Sequence, residues 1–482
     1  MAADGRQASG RAAMADGGGG TFLIGNGAGF SGDRVDAPIP VVRTLVRRGL
    51  PAALFFECLG ERTVALAQLE RRRDPEAGYE PMLEPLLEPI LADCAAHRIP
   101  VLGNFGAANP PAAARLVARL AVRLGLPDLR IGLVTGDDVV GTVALDQLPV
   151  HEADGSIDTR SARLVAANAY IGAEPLVRAL AEGADVVVAG RTSDPALAIA
   201  PLVHHFGWRL DDWGKLAVGA ACGHLLECGS QVTGGVFWDP GFKDIPDPAN
   251  IGFPIAEVTA EGGLTVTKAE DTGGVVDLRT VKEQLLYELH DPARYVTPDV
   301  VLDITGCTLE QAGPDRVAVR GLRGHPAPDS LKVTASFEGS WLGEGEVSVA
   351  GPNALARARA TADVLLERLR RRGLPVRARV DLIGVASAHD SDDGALWRGY
   401  RGPEPPEVRV RLAAEGADRD AVDGAAREVL AMLCCGTAGT GGARWRVTPR
   451  ILTRSHLVLR ERVPTAVGVR TAEEIVARGE AA

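Results

Sequence analysis

TFLIGNGAGFSGDRVDAPIPVVRTLVRRGLPAALFFE, residues 21–57, reads as strand, glycine-rich loop, helix and strand in that order. TFLIG (21–25) and AALFFE (52–57) are apolar without alternation. Strands buried on both faces have this texture, because helices cover the sheet above and below. Between them, PIPVVRTLVRRGL (38–50) carries apolar residues at helical spacing and closes on Arg-Arg-Gly, a helix C-terminus. Two such strands joined by a helix form a parallel pair with a right-handed crossover.

Further along the chain the same unit recurs. IPVLGNF (99–105), LRIGLVTG (129–136) and ADVVVAG (184–190) are three more continuous apolar runs. Amphipathic stretches separate them: ERTVALAQLERRR (61–73), MLEPLLEPILADCAAHR (82–98), PAAARLVARLAVRLGL (111–126), GAEPLVRALAEGA (172–184) and PALAIAPLVHHFGW (195–208). Pro110 and Pro111 suit the first turn of a helix. The expectation is an α/β domain over residues 21–300, with a doubly wound open parallel sheet favoured over barrel-like closure. After about residue 240 the texture changes. VRARVDLIGVAS (376–387), EVRVRLAAEG (407–416), ARWRVTPRILT (443–453) and HLVLRERV (456–463) read as strands. The segment 347–373 reads as a strand end followed by a long basic helix, and 419–433 as a helix. Strands then outnumber helices, which predicts a C-terminal α+β sandwich over residues 301–464.

Residues 1–20 hold no apolar core of a signal peptide and read as a disordered tail; residues 465–482 read as a second tail. No apolar run approaches a membrane span, so the expected setting is cytoplasmic, with no membrane. Against 52 Lys and Arg stand 63 Asp and Glu, a net charge of -11, which argues against nucleic acid or an anionic membrane as partner. A small anionic ligand is not excluded by that balance. The seven cysteines are odd in number and form no CxxC pair, which suits free thiols in a reducing compartment.

In open parallel sheets, ligands bind beyond the carboxyl ends of the strands. Here those ends carry Ser31, Asp33 and Arg34; Glu57, Glu61 and Arg62; Asn104 and Asn109; Asp137 and Asp138; and Arg191, Ser193 and Asp194. Asn109, Asp138 and Ser193 equally suit caps and turns. Gly27, Gly29 and Gly32 fit GxGxxG, and Glu57 falls near a ribose position, but Asp33, Arg34, Pro38 and Pro40 intervene before the helix. A dinucleotide fingerprint opens directly into its helix, so NAD is not expected.

In GHLLECGSQVTGG (223–235), His224 and Glu227 share a helix face at i, i+3, with Gln231 following. Such a pair can act as acid and base or hold a divalent metal. A metal would have to borrow Asp137, Asp138 or Glu57, and a core histidine with a hydrogen-bonded partner is the plain alternative. Cys58 and Cys228 read as small buried hydrophobes before nucleophiles. Arg34, Arg62 and Arg191 could clamp an anion or neutralise the acids beside them.

Several segments together resemble the acyclic terpene utilisation protein A family. They are GAGFSGDRVDAP (27–38), FECLGERTVALAQ (56–68), GNFGAANPPAAA (103–114), GDDV (136–139), NAYIGAEPLVRALAEGADVVVAGRTSDPALAIAPLVHHFGW (168–208), GHLLECGSQVTGG (223–235), FPIAEV (253–258) and DTGGVVDLRTVKEQLLYELHDPARYVTPDVVLD (271–303). The resemblance implies a role in bacterial breakdown of branched acyclic terpenoids, whose later intermediates are acyl-CoA thioesters. Some relatives carry a small additional domain, or a partner subunit, with an RSGDKG-type motif; this chain shows none, so whether it acts alone or with a small partner subunit stays open.

The combined expectation is an enzyme, probed below, acting by acid–base chemistry on a branched-chain carboxylate or acyl-CoA as a hydratase, lyase or hydrolase. Glu57 and Asp137 serve as base and acid, with His224 and Glu227 assisting. Arg34, Arg62 and Arg191 anchor the anion, and Asn104 with loop amides stabilises an enolate or oxyanion. Ser31, Asp33, Asn109, Asp194 and Gln231 complete the substrate-binding set. A homo-oligomer is the default assembly. The rivals are a non-catalytic ligand-binding or assembly subunit and, third, a Rossmann-type oxidoreductase.

Overall fold

Apolar runs separated by helices become neighbouring parallel strands. The computed structural model describes residues 20–143, 163–388 and 394–479. Within it the chain divides into two compact units. Unit 1 takes residues 1–153, 165–335 and 454–482, and unit 2 takes 154–164 and 336–453.

Unit 1 contains β1 (Thr21–Ala28), β2 (Ala52–Phe56), β3 (Val101–Gly103), β4 (Arg130–Thr135), β5 (Leu164–Ala169) and β6 (Val186–Ala189). After these come β7 (Pro254–Thr259), β8 (Leu264–Lys268), β9 (Tyr295–Val296), β10 (Val301–Asp303), β11 (Thr308–Gly313), β12 (Arg316–Arg320) and β13 (Arg323–His325). One ten-stranded sheet runs β11-β12-β8-β7-β1-β2-β3-β6-β4, ending on the strand Ala466–Thr471. Its centre, β1-β2-β3-β6-β4, is parallel throughout and consists of the five apolar runs read from the sequence. Both wings are antiparallel. The fold is therefore α/β with mixed sheets, and the all-parallel expectation is corrected at the edges. β7 and β8 meet across a tight Thr259–Gly263 turn, a hairpin that needs no crossover helix.

The sequence boundaries also shift. Residues 301–335 stay in unit 1, where β12 pairs with β8. The stretch from 465 is no tail. Ala466–Thr471 pairs antiparallel with β4, and the helix Ala472–Ala477 opens with a Thr471/Glu474 capping box and buries Ala472 and Ile475 in the unit 1 core.

Two helices carry the second half of the site. Ala196–Phe206 and Trp213–Leu226 are both apolar nearly all round, as helices buried on every side must be. Gly223 makes their close approach possible, since a Cβ there would lie 2.5 Å from the Pro195 Cα. That contact sets the end of Trp213–Leu226, and so Glu227, against the loop that follows β6.

In unit 2 the strands β14 (Ser330–Ala350, from residue 336 in this unit), β15 (Arg377–Ile383), β16 (Glu407–Gly416) and β17 (Thr440–Leu459, to residue 453) order as β15-β16-β14-β17. Alternate residues Val347, Val349, Val380, Leu382, Val408 and Val410 pack with Leu355, Leu365 and Met432 of the helices Ala354–Arg372 and Glu428–Cys435. The residues between them, Ser348, Asp381 and Arg409, are polar and lie on the other face. This alternation is what a sheet with one covered face requires.

Candidate functional site

Where β1, β2 and β6 end, the chain turns polar and a cavity of about 990 Å³ opens in unit 1. Gly29, Asp33, Glu57, Arg191, Asp194 and Glu227 are among its lining residues. The first loop is drawn against the end of Trp213–Leu226, because Gly29 lacks a Cβ that would fall 2.6 Å from the Gly229 nitrogen. Gly27 lies against the Phe56 ring in the same way, and Gly32 sits at φ +82, a left-handed position that favours glycine. These packing roles account for the GxGxxG spacing. Asp33 ties the loop together by accepting from the Gly29 and Arg34 amides at 2.9 and 2.8 Å. Burial raises the Asp33 carboxyl above its ordinary range.

Glu57 leaves the end of β2 almost fully buried. Its Oε1 accepts from the Leu59 amide at 2.8 Å and from Asn104 Nδ2 at 2.9 Å. Asn104 Oδ1 in turn accepts from the Cys58 amide at 2.7 Å. Arg191 Nη1 lies 3.8 Å from Glu57 Oε1, donates to Asp194 Oδ1 at 2.8 Å and to the Leu59 carbonyl at 2.6 Å, and its guanidinium covers the Tyr170 ring at 4.0 Å. Glu57 and Asp194 stand close enough for each carboxyl to influence the other. Desolvation, then the Asp194 charge, raises Glu57 well above the usual carboxylate range; Arg191 and Asn104 pull the other way. Burial raises Asp194 as well. Two neighbouring carboxyls cannot both ionise at low cost, which favours a proton shared by the pair.

Across the same cavity stands the second pair. Glu227 Oε1 meets His224 Nδ1 at 3.1 Å, at the i, i+3 spacing anticipated. Burial pushes Glu227 up to about 7, against the pull of His224. Burial alone would lower the His224 imidazole, but the hydrogen bond and charge of Glu227 more than offset it, and the net direction is up. Glu227 lines the cavity, whereas His224 stands behind it, its ring 5.2 Å from that of Tyr295. Neither His224 Nε2 nor Glu227 Oε2 has a hydrogen-bond partner among the described residues.

Other walls come from segments beyond the parallel centre. Tyr170 donates to Glu61 Oε1 at 2.6 Å, and Lys332 Nζ lies 3.4 Å from the same oxygen. Although burial would raise Glu61, the Tyr170 hydrogen bond and neighbouring cations take it down to about 2, so it is ionised. Tyr287, Arg294 and Tyr295 also line the cavity. Sequence reasoning singled out none of Tyr170, Arg294, Tyr295 and Lys332; the available signal was the ARY run at 293–295 in an otherwise acidic stretch.

Several expected site residues stand elsewhere. Asp137 is buried behind the cavity, where Oδ2 accepts from Asn168 Nδ2 and from the Arg191 amide, both at 2.8 Å. It fixes the turn that aims Arg191, although burial lifts its carboxyl to about 6. Asn104 is bonded at both ends of its amide, positions Glu57 and does not line the cavity where an oxyanion would sit. Asn109 caps the helix Pro110–Arg123 and donates to the Pro75 and Ala77 carbonyls. Arg34 turns to Asp36 and the Ile251 carbonyl, Arg62 is exposed, and neither lines the cavity; Ser31 does not line it either. Ser193 and Gln231 do. Cys228 also lines it, with burial pushing its thiol far above a nucleophile's range, and Cys58 is buried. Among the described residues no group of three or more His, Cys, Asp and Glu side chains is arranged to hold a metal ion. No helix among them is long and apolar enough to cross a membrane.

A family model described as "Acyclic terpene utilisation family protein AtuA" matches residues 22–469. No curated protein matches the chain. A solved structure, "De novo designed protein Foldit4", is similar at 13% identity over 23% of this chain and 99% of that chain, with a TM-score of 0.17.

Proposed function

The chain belongs to the acyclic terpene utilisation family AtuA, and on that premise we propose that unit 1 is an acid–base enzyme acting on a branched-chain carboxylate or its acyl-CoA thioester, of the hydratase or lyase kind. One observation carries the reading: Glu57, Asp194 and Glu227, the last backed by His224, line one cavity, and burial raises all three carboxyls. The Glu57–Asp194 pair holds a proton to donate. Glu227, up at about 7 beside His224, is poised to accept one near neutral pH.

For hydration of an enoyl unit, Glu227 takes a proton from water as the water oxygen bonds to the β-carbon. The α-carbon then takes the proton held by Glu57 and Asp194, and solvent resets both pairs. Dehydration runs through the same groups in reverse. Arg191 is held by Asp194, the Leu59 carbonyl and the Tyr170 ring, so it organises the carboxyl pair. The substrate's anionic end would meet Arg294 and Lys332, which line the same cavity.

The test is deuterium incorporation from D2O and water addition, read by mass spectrometry on branched 2-enoyl-CoA thioesters. Glu57→Gln and Glu227→Gln are each expected to cost about 100-fold or more in turnover. Turnover in both variants within a few-fold of the unaltered chain would remove the reading.

A further inference from the structure

A second cavity, of about 640 Å³, lies in unit 2 over β15 and β16. That volume falls within the range of small-molecule sites. Five arginines line it, Arg377, Arg379, Arg398, Arg411 and Arg450, against two carboxylates, Asp381 and Glu415. The strand register explains the crowding. Arg379 pairs with Ala413 and Arg377 with Glu415, so Ala413 leaves an open floor between long side chains.

The carboxylates available on this sheet face are already shared. Asp381 takes Arg379 at 2.6 Å and Arg411 at 2.9 Å. Glu415 takes Arg450 at 3.2 Å and the Ser340 hydroxyl at 2.6 Å. Glu344 is divided between Arg411 and Arg446, both at 2.6 Å, and Glu346 between Arg409 and Arg444 at 2.9 and 2.8 Å. The Arg377 side chain has no hydrogen bond or ion pair among the described residues, and the residue is exposed. Guanidinium donors thus outnumber carboxylate acceptors around one concave site, in a chain whose overall charge is -11. Ion pairing within the sheet accounts for part of the arginine and leaves a local positive excess.

We propose that this cavity binds a small ligand carrying a diphosphate group, with Arg377 and Arg450 taking its phosphate oxygens. A planar guanidinium fork matches two oxygens of one phosphate, which an ammonium point charge does not do. A diphosphate brings the several acceptors that the shared carboxylates do not supply. Free inorganic diphosphate and a nucleoside diphosphate present this chemistry alike.

Calorimetric titration of the full chain with inorganic diphosphate and with ADP tests the proposal. Saturable binding at one site is expected, weakening as salt rises. Arg377→Glu and Arg450→Glu are each expected to weaken it by about tenfold or more. Arg377→Gln, which removes an exposed side chain without an ion-pair partner, keeps the test readable if charge reversal disturbs folding; it should weaken binding several-fold. Equal affinities for the two ligands would mean that the diphosphate alone is read, and tighter ADP that the nucleoside is read too; both outcomes support the site. Absence of saturable binding up to about 10 mM ligand would overturn it. So would unchanged affinity in Arg377→Gln and Arg450→Glu, or polyglutamate peptide binding as tightly as diphosphate.

Discussion

The cavity of unit 1 is lined by seven acidic side chains and three Lys or Arg, whereas that of unit 2 is lined by two acidic side chains and five Arg. A bare count makes the first strongly anionic and the second cationic. Burial changes the first count. In unit 1 desolvation raises Asp33, Glu57, Asp194 and Glu227, so these acids hold a proton more tightly than exposed ones do. On the unit 2 sheet, Glu344 and Glu346 are lowered: partial burial would raise them, but hydrogen bonds from Arg411 and Arg446 and from Arg444 and Arg409 prevail. The same residue type is a proton reservoir in one unit and a fixed charge in the other, and the neighbours decide which.

The contrast is most exposed at Arg191, the buried cation of the first cavity. Arg191→Met would strand Glu57 and Asp194 without their counter-charge. Breaking a buried pair in this way costs roughly 3–5 kcal/mol. Urea denaturation should show the loss larger at pH 8 than at pH 5, because at the lower pH both carboxyls can neutralise by binding protons. A loss below about 1 kcal/mol at both values would mean that the carboxyl pair does not depend on Arg191.

A smaller effect separates the units by the sign of their pH response. Burial takes Asp137 and Asp299 up to about 6 from an ordinary 3.8, and Glu227 up to about 7 from 4.5. Their folded forms hold the proton more tightly than the unfolded chain does. The stability they contribute is complete below about pH 4 and is lost as pH rises through 6 to 7. For Glu344 and Glu346 the sign is reversed, with stability present above about pH 4.5 and lost as pH falls through their lowered values. Acidification from pH 7 to pH 5 should therefore raise amide-exchange protection in unit 1, after correction for intrinsic rates, and leave unit 2 nearly flat. Asp137→Asn should remove roughly 1 kcal/mol of the unit 1 change over that interval. Equal responses in both units would erase the distinction.

What was legible in the sequence follows the same physics. TFLIG, AALFF and DVVVAG announce the parallel centre because strands covered on both faces have no polar side to show. AVGVRT at 466–471 is an edge strand with alternate residues exposed, and so it reads as a tail. Gly29, Asp33, Glu57, Arg191, Asp194, Glu227 and Gln231 were found at element ends and line one cavity. Asp137, Asn104 and Asn109 share that composition and stand behind it, since a buried acceptor of backbone amides looks the same in sequence as a catalytic acid. Tyr170, Arg294, Tyr295 and Lys332 could not be placed before the antiparallel segments had a register, because no strand end of the parallel centre carries them.

The smallest expected effect is the one that would most sharpen the contrast. Arg446 meets Glu344 at 2.6 Å, closer than Arg191 comes to Glu57, yet its side chain is 71% exposed against 4% for Arg191. Arg446→Ala leaves Arg411 on Glu344, so no charge is stranded. Exposed pairs of this kind are worth about 0–1 kcal/mol, and water screens most of the attraction that the short distance suggests. The loss should fall within that range at low salt and fade at about 1 M salt, where the screening length shrinks to about 3 Å. A double-mutant cycle with Glu344→Gln isolates the pair from other contacts of either side chain. A coupling above about 2 kcal/mol that survived high salt would place Arg446 in a water-excluded setting. The sheet face of unit 2 would then be covered in solution, and its arginines would follow the rules of the first cavity instead of their own.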